Sequence, residues 1–475
     1  MAPTTRPSSL PKCVALLLSN LRLDGAAVDI RIDNGLIVEI GAIAGEGHDF
    51  GGRTVIPGLW DNHVHFSQWA MQSQRLDLSA ATSAREVAEL VGAAATAPTV
   101  VGVGFRDGLW PDLPTVALLD ATTGDVPVVL ISGDLHCVWA NSAALALYGH
   151  ETEGLLREEP AFDVTRAVGR VADETLDSWA QQAGIEAATR GVVGFADLEM
   201  DWGVDTWQRR LAGGFDTQRV EFAIYTQFLD RAVTLGFSTG QKLDDLLSVG
   251  RYKVLTDGSL NTRTAYCVDP FPGTDDHGLL EITPGALQKR MAQAWAAGIE
   301  PTVHAIGDAA LTVTLDAFEA TGARGWVEHA QLVADSDLSR FAELGVVASL
   351  QPEHAMDDRD VADRYWAGRT HRVIPARGLL DAGARLAFGS DAPVAPLDPW
   401  VAMSASVTRS RDGREPWHPE QRVSVAEALE ASTRSTIAVG QPADLVVVDE
   451  PLTAENLRAM PVYATMLAGR FTYRA

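Results

Sequence analysis

Two histidines two apart, His63 and His65, close the apolar run 55–65. In an extended strand alternate side chains share a face, so both imidazoles can enter one cavity at the strand's carboxyl end and grip one metal ion. The same spacing also occurs on solvated strand faces, so the pair gains meaning from its company. Four further strand-like runs carry a ligand type at or near their ends: Lys253 in 251–258, His304 in 301–308, His329 in 326–330 and Asp391 in 386–393. Singly, each has a structural explanation. A buried histidine bonds a carbonyl, an aspartate caps the next helix, and Lys253 pairs with Asp257 or Glu281. Five such runs in succession point to a shared site.

The chemistry that suits these residue types is hydrolysis. Metal coordination lowers the pKa of water from about 15.7 to about 7, which supplies a nucleophile near neutrality. A carboxylate beside that water, here Asp391, can take its proton and pass it to the leaving group. Nitrogen and oxygen ligands suit zinc, manganese, iron or cobalt, with zinc the first expectation among one or two divalent ions.

Such residues need a scaffold that collects strand ends. Strands are expected at 55–62, 191–197, 219–226, 252–256, 300–304, 325–329, 346–350 and 385–389, with helical patterns such as 283–297 and 309–321 between the later ones. Eight strands alternating with helices predict an α/β fold, a (β/α)8 TIM barrel whose site lies at the strands' carboxyl ends. The candidates then fall on strands 1, 4, 5, 6 and 8. About 125 residues separate the first two strands, too many for a simple crossover, and imply an inserted subdomain after strand 1. Short alternating runs at 14–18, 28–32 and 36–40, with turn signals at Asp24-Gly25 and Asp33-Asn34-Gly35, read as antiparallel strands. A matching set at 444–449 and 463–473 suggests one small β-sandwich domain built from both termini. The expected division is 1–54 and 435–475 for that domain and 55–434 for the barrel, with the insertion at about 67–190.

Composition fits a soluble enzyme. Of 475 residues, 46% are hydrophobic and 21% charged, and no run approaches the roughly 20 apolar residues of a membrane span. The formal charge of −25 argues against nucleic acid or an anionic membrane as partner and leaves a small-molecule substrate. Cys13, Cys137 and Cys267 show no paired spacing, which fits a reducing cytoplasm. The polar segment 1–12 reads as a tail, and the apolar stretch after it is too short for a signal peptide. Homo-oligomerisation is left open.

The chain resembles the amidohydrolase superfamily through Val55-Ile-Pro-Gly-Leu-Trp-Asp-Asn-His-Val-His65, Asp257-Gly258-Ser259, His304-Ala-Ile-Gly-Asp308, Glu328-His329, Gly389-Ser390-Asp391 and Pro442-Ala-Asp-Leu-Val-Val-Val-Asp449. Within it, Leu130-Ile-Ser-Gly-Asp-Leu-His136 and Asn141-Ser-Ala-Ala-Leu145 are similar to amidohydrolase family 3, the branch that includes N-substituted formamide deformylase. The resemblance implies a carboxylated Lys253 that bridges an ion held by His63, His65 and Asp391 and a second held by His304 and His329. It also implies that His136 reaches over the site to the substrate, with Asp391 and His136 as the catalytic pair. Burial favours the neutral amine that carboxylation requires. The implied reaction is hydrolysis of a non-peptide carbon–nitrogen bond, such as that of an N-substituted formamide or N-acyl amine. A cyclic-amide hydrolase, a nucleobase-like deaminase and a catalytically silent metal-binding protein are the alternatives. Trp69, Trp110, Arg263 and His354 are candidate substrate contacts, with core packing or surface pairing as their ordinary roles.

Overall fold

The computed structural model describes residues 15–475 except 96–97, 106, 108–109, 133–136, 158 and 262. The expectations for the segment 1–12, Cys13 and His136 fall outside the described residues. Contacts divide the chain into two compact units, one of residues up to Phe66 with Gly184–Ala475, the other Ser67–Ala183.

In the first unit an eight-stranded parallel sheet is built from β1 (Leu59–Val64), β2 (Val192–Asp197), β3 (Arg219–Tyr225), β4 (Leu247–Leu255), β5 (Pro301–Ala305), β6 (Trp326–His329), β7 (Val347–Leu350) and β8 (Arg385–Phe388), bonded in that order. The barrel closes between β1 and the segment after β8. Asn62 Nδ2 donates to the Phe388 carbonyl at 2.9 Å, the Asp391 amide to the His63 carbonyl at 2.7 Å, and the His65 amide to the Ala392 carbonyl at 2.8 Å.

The first barrel strand begins later than the sequence pattern suggests. Val55 and Ile56 belong to the strand His48–Pro57, which pairs antiparallel with Leu445–Val448 in a separate seven-stranded sheet. Gly58 is the joint, because a Cβ there would lie 2.4 Å from Val193. An unbroken apolar run thus serves two sheets, which periodicity cannot divide.

The other strands of that sheet are Leu16–Leu23, Ala26–Asp33, Leu36–Gly41, Val462–Leu467 and Arg470–Arg474. Asp24-Gly25 and Asn34-Gly35 form two-residue hairpin turns with positive φ at both positions, as the primed turns require. Both ends of the sheet share one core, in which Leu18 and Ile30 pack with Leu445 and Met466.

The barrel interior near the amino ends of its strands is charged where branched aliphatic residues usually fill such cores. The Arg251 guanidinium lies 3.7 Å from the Trp326 ring centroid and that of Arg434 4.1 Å from Trp60. Arg434 and Arg251 both approach Glu221 Oε2, at 2.5 and 3.6 Å.

The second unit has its own five-stranded sheet, of Leu76–Asp77, Val100–Phe105, Val128–Ser132, Cys137–Ala140 and Leu155–Arg157. Trp139 is fully buried there and donates through Nε1 to the Thr115 carbonyl.

Candidate metal centre

His63 sits at the carboxyl end of β1, with Nε2 3.3 Å from Asp391 Oδ1, and His65 Nε2 lies 3.3 Å from the same oxygen. The end of β8 comes so close that a Cβ on Gly389 would lie 2.6 Å from His63. Asp391 has a left-handed backbone, φ +57, which turns its carboxylate toward the two rings. One ligand atom each from His63, His329 and Asp391 lie within 4.8 Å of one another.

The remaining rings pack around this trio. His304, on β5, has its ring centroid 4.4 Å from that of His329, with Nε2 3.2 Å from the Gly258 carbonyl and 3.6 Å from Asp257 Oδ1. His354 follows β7 and opens the helix His354–Asp357. Its Nε2 is 3.9 Å from Asp391 Oδ2 and its ring stacks toward His329 at 6.1 Å. Lys253, on β4, is 2% exposed, and its charge is felt by His63, His304, His329 and Glu328.

These residues suit a divalent cation. Ligand atoms at tetrahedral zinc distances of about 2.0–2.2 Å lie roughly 3.3–3.6 Å apart, and the two histidine–aspartate separations match. The Nδ1 atom of His329 is buried with no hydrogen-bond partner, which an apolar protein interior would penalise. Burial, reinforced by Lys253, pushes His304 down to about 3. Burial also lowers His63 and His329, with Lys253 and neighbouring rings contributing, and holds Lys253 below the usual ammonium range. Metal binds neutral imidazole and carbon dioxide an uncharged amine, the forms that these shifts favour for His63, His304, His329 and Lys253, whereas at His65 burial is outweighed by Asp391 and the imidazole is pushed up. Burial opposes the Asp391 charge, but His63, His65 and His354 outweigh it and keep the carboxylate ionised.

Glu328 enters the sequence reading only as part of the Glu328-His329 motif, with no role of its own. Its Oε2 lies 2.8 Å from His63 Nδ1, and it is fully buried. Asp61 Oδ1 accepts from the amides of His63 and Ser390, both at 3.0 Å, and burial pushes its carboxyl up to about 6. Asp61 precedes His63 by two residues, a spacing that could have flagged it. Asp257 accepts from the amides of Tyr266, Ile306 and Gly307 and so braces the loop after β5.

The candidate substrate contacts belong to both units, Trp69 and Trp110 to the second, Arg263 and His354 to the first. Trp69 lies in the helix Phe66–Gln72 and is partly buried. Trp110 packs against Phe105 at 5.7 Å and Trp139 at 6.4 Å. Arg263 is exposed, with φ +60 and its guanidinium 5.8 Å from the Tyr365 ring. Of the two in the first unit, His354 is the one placed beside Asp391.

The sequence profile of the amidohydrolase family matches residues 46–473. The chain is 27% identical to the LONG AFTER FAR-RED 3 protein of Arabidopsis thaliana, over 94% of this chain and 88% of that protein. It is 25% identical to the N-substituted formamide deformylase of Arthrobacter pascens, over 90% and 89%. An uncharacterized metal-dependent hydrolase from Pyrococcus horikoshii superposes with a TM-score of 0.80 at 24% identity, covering 92% of this chain and 98% of that one. No helix among the described residues is long and apolar enough to cross a membrane. With its profile match spanning nearly the whole chain, the protein belongs to the amidohydrolase family, hydrolases that act on carbon–nitrogen bonds.

Proposed function

We propose that this amidohydrolase cleaves a non-peptide amide-like bond of a small molecule, with N-substituted formamides and N-acyl amines as the substrate class. The observation that carries the reading is the Asp391 carboxylate set 3.3 Å from Nε2 of both His63 and His65. His63, His65, His304, His329 and Asp391 would hold one or two divalent ions, zinc being the first expectation, with Lys253 as the bridging carbamate. When bound, the ion lowers the pKa of a coordinated water and polarises the scissile carbonyl. Asp391 accepts the water's proton on attack and returns it to the leaving nitrogen, one carboxylate acting as base and then acid. By the family resemblance His136, or the ion itself, would steady the oxyanion that develops on the substrate carbonyl. The relationship to a formamide deformylase supports the choice of acyl group.

The reading is tested by loading the protein with zinc and offering N-formyl amines, N-acetyl amines, cyclic amides and amino-substituted nucleobases. Release of formate or acetate with the free amine is expected. Ammonia release would make the protein a deaminase, ring opening a cyclic-amide hydrolase, and silence across the panel would favour a metal-binding protein without turnover.

A further inference from the structure

Glu328 and His329 are consecutive on β6, and in a regular strand consecutive side chains leave by opposite faces. Here both reach the barrel interior. The Glu328 carboxylate meets His63 Nδ1 at 2.8 Å, while the His329 ring centroid lies 5.0 Å from that of His63. The strand ends at His329 in left-handed backbone, φ +71, followed by Ala330 at φ +39. A residue with a Cβ adopts that conformation only where its surroundings demand it, and such strain clusters at functional sites.

The two oxygens of Glu328 have separate partners. Oε1 accepts from the Thr302 hydroxyl and Oε2 faces His63. An ionised carboxylate can only accept, so the His63 proton belongs on Nδ1, and the Nε2 lone pair is turned toward Asp391. Gln351 ends its side chain 3.2 Å from the same Nδ1, and with the proton there its amide must present the otherwise unpartnered Oε1 to that edge of the ring. His63 is thereby gripped on one nitrogen and presented on the other.

We infer that Glu328 is a positioning residue for the metal centre: by accepting the Nδ1 proton it fixes the tautomer and orientation in which His63 offers Nε2 to the ion. This rests on the assignment of His63 as a ligand. A carboxylate in this relation raises the basicity of the coordinating nitrogen, and its loss typically costs about 10–100-fold in metal affinity. The alternative is that Glu328 serves only to balance the buried charges of Lys253 and Arg251, which influence it through space.

The test compares wild type with Glu328→Gln, measuring zinc affinity by competition with a chromogenic chelator, the visible spectrum of the cobalt(II)-loaded protein, and the melting temperature of the metal-free form. A fall in zinc affinity of about 10–100-fold and a changed cobalt spectrum, with the metal-free melt little altered, are expected. Wild-type affinity and spectrum in the variant would overturn the inference and leave the proposed function standing. Wild-type protein that takes up no metal would overturn both. Should Glu328→Gln fail to fold, Thr302→Val releases only Oε1. A smaller drop in affinity is expected there, and an unchanged value would count against the positioning role.

Discussion

Asp391 meets His63 twice, through its amide to the His63 carbonyl at 2.7 Å and through its carboxylate, 3.3 Å from Nε2 of the ring. The first contact belongs to the seam that closes the barrel and the second to the candidate metal centre. Barrel closure and the placement of the candidate ligands are therefore one arrangement, and a change that opens the seam also disperses them. The seam is tightened by Asp61, whose single oxygen holds the amides of His63 and Ser390 from opposite sides.

Asp391→Asn keeps the shape of the seam but removes the charge and, with it, the proposed base. Loss of a positioned acid–base group alone lowers rate by about 10²–10⁴-fold, and loss of a ligand adds to it. The expected result is a fall in kcat of at least that order, with a lower metal content by elemental analysis. Turnover near the wild-type rate would refute both roles.

Gly389→Ala tests the close approach directly. The new methyl would lie 2.6 Å from His63 Cβ and amide nitrogen, and overpacking of this kind costs typically about 1–3 kcal/mol. A lowered melting temperature with weakened metal uptake is expected. An unchanged melt would refute the close approach of β8 to His63.

How much of this was legible depended on periodicity. His63 and His65 both reach Asp391 because an alternation of two survives to the strand's end, and Lys253 and His304 are read in the same way. Glu328 stands in the Glu328-His329 motif, but alternation sends neighbours to opposite faces, so the spacing gives it no role at the site. The left-handed backbone that returns His329 to the interior leaves no mark in composition. The start of β1 was misplaced because Val55-Ile56-Pro57 and Leu59-Trp60 read as one apolar run, although Gly58 was the available signal. Likewise the hairpin of Val462–Leu467 and Arg470–Arg474 turns on Ala468-Gly469, with Ala468 at φ +50. Alanine advertises no such turn, and the segment reads as one strand.

Asp197 ends β2 and accepts from the Phe66 amide at 3.1 Å and Trp207 Nε1 at 2.7 Å. Burial, with Glu199 adding to it, pushes its carboxyl from 3.8 up to about 6. The folded state therefore binds this proton more tightly than the unfolded chain. Its contribution to stability is greatest below pH 4 and falls as pH rises from about 4 to about 6. Asp197→Asn cannot titrate, so the difference in melting temperature between variant and wild type should move in the variant's favour across that window. A difference that stays flat from pH 4 to pH 7 would refute the raised value.

Lys253 is where the proposal of two ions is tested against one. Its burial at 2% exposure lowers the ammonium pKa, and an unprotonated amine is what carbon dioxide converts to a carbamate with two ligand oxygens. Lys253→Ala should then lose the bridge, and elemental analysis of protein purified without chelator should fall from near two metals per chain to one or fewer. Metal loss also removes the stabilisation that binding confers, about 2.7 kcal/mol when free metal stands at 100 times Kd, so the variant should melt lower and respond less to added zinc. Added bicarbonate should raise metal uptake in the wild type and leave the variant unmoved, which separates carbamate formation from simple packing. One metal per chain in both proteins, with no bicarbonate response, would make Lys253 a structural cation beside Glu328 and turn the search for substrates toward deamination.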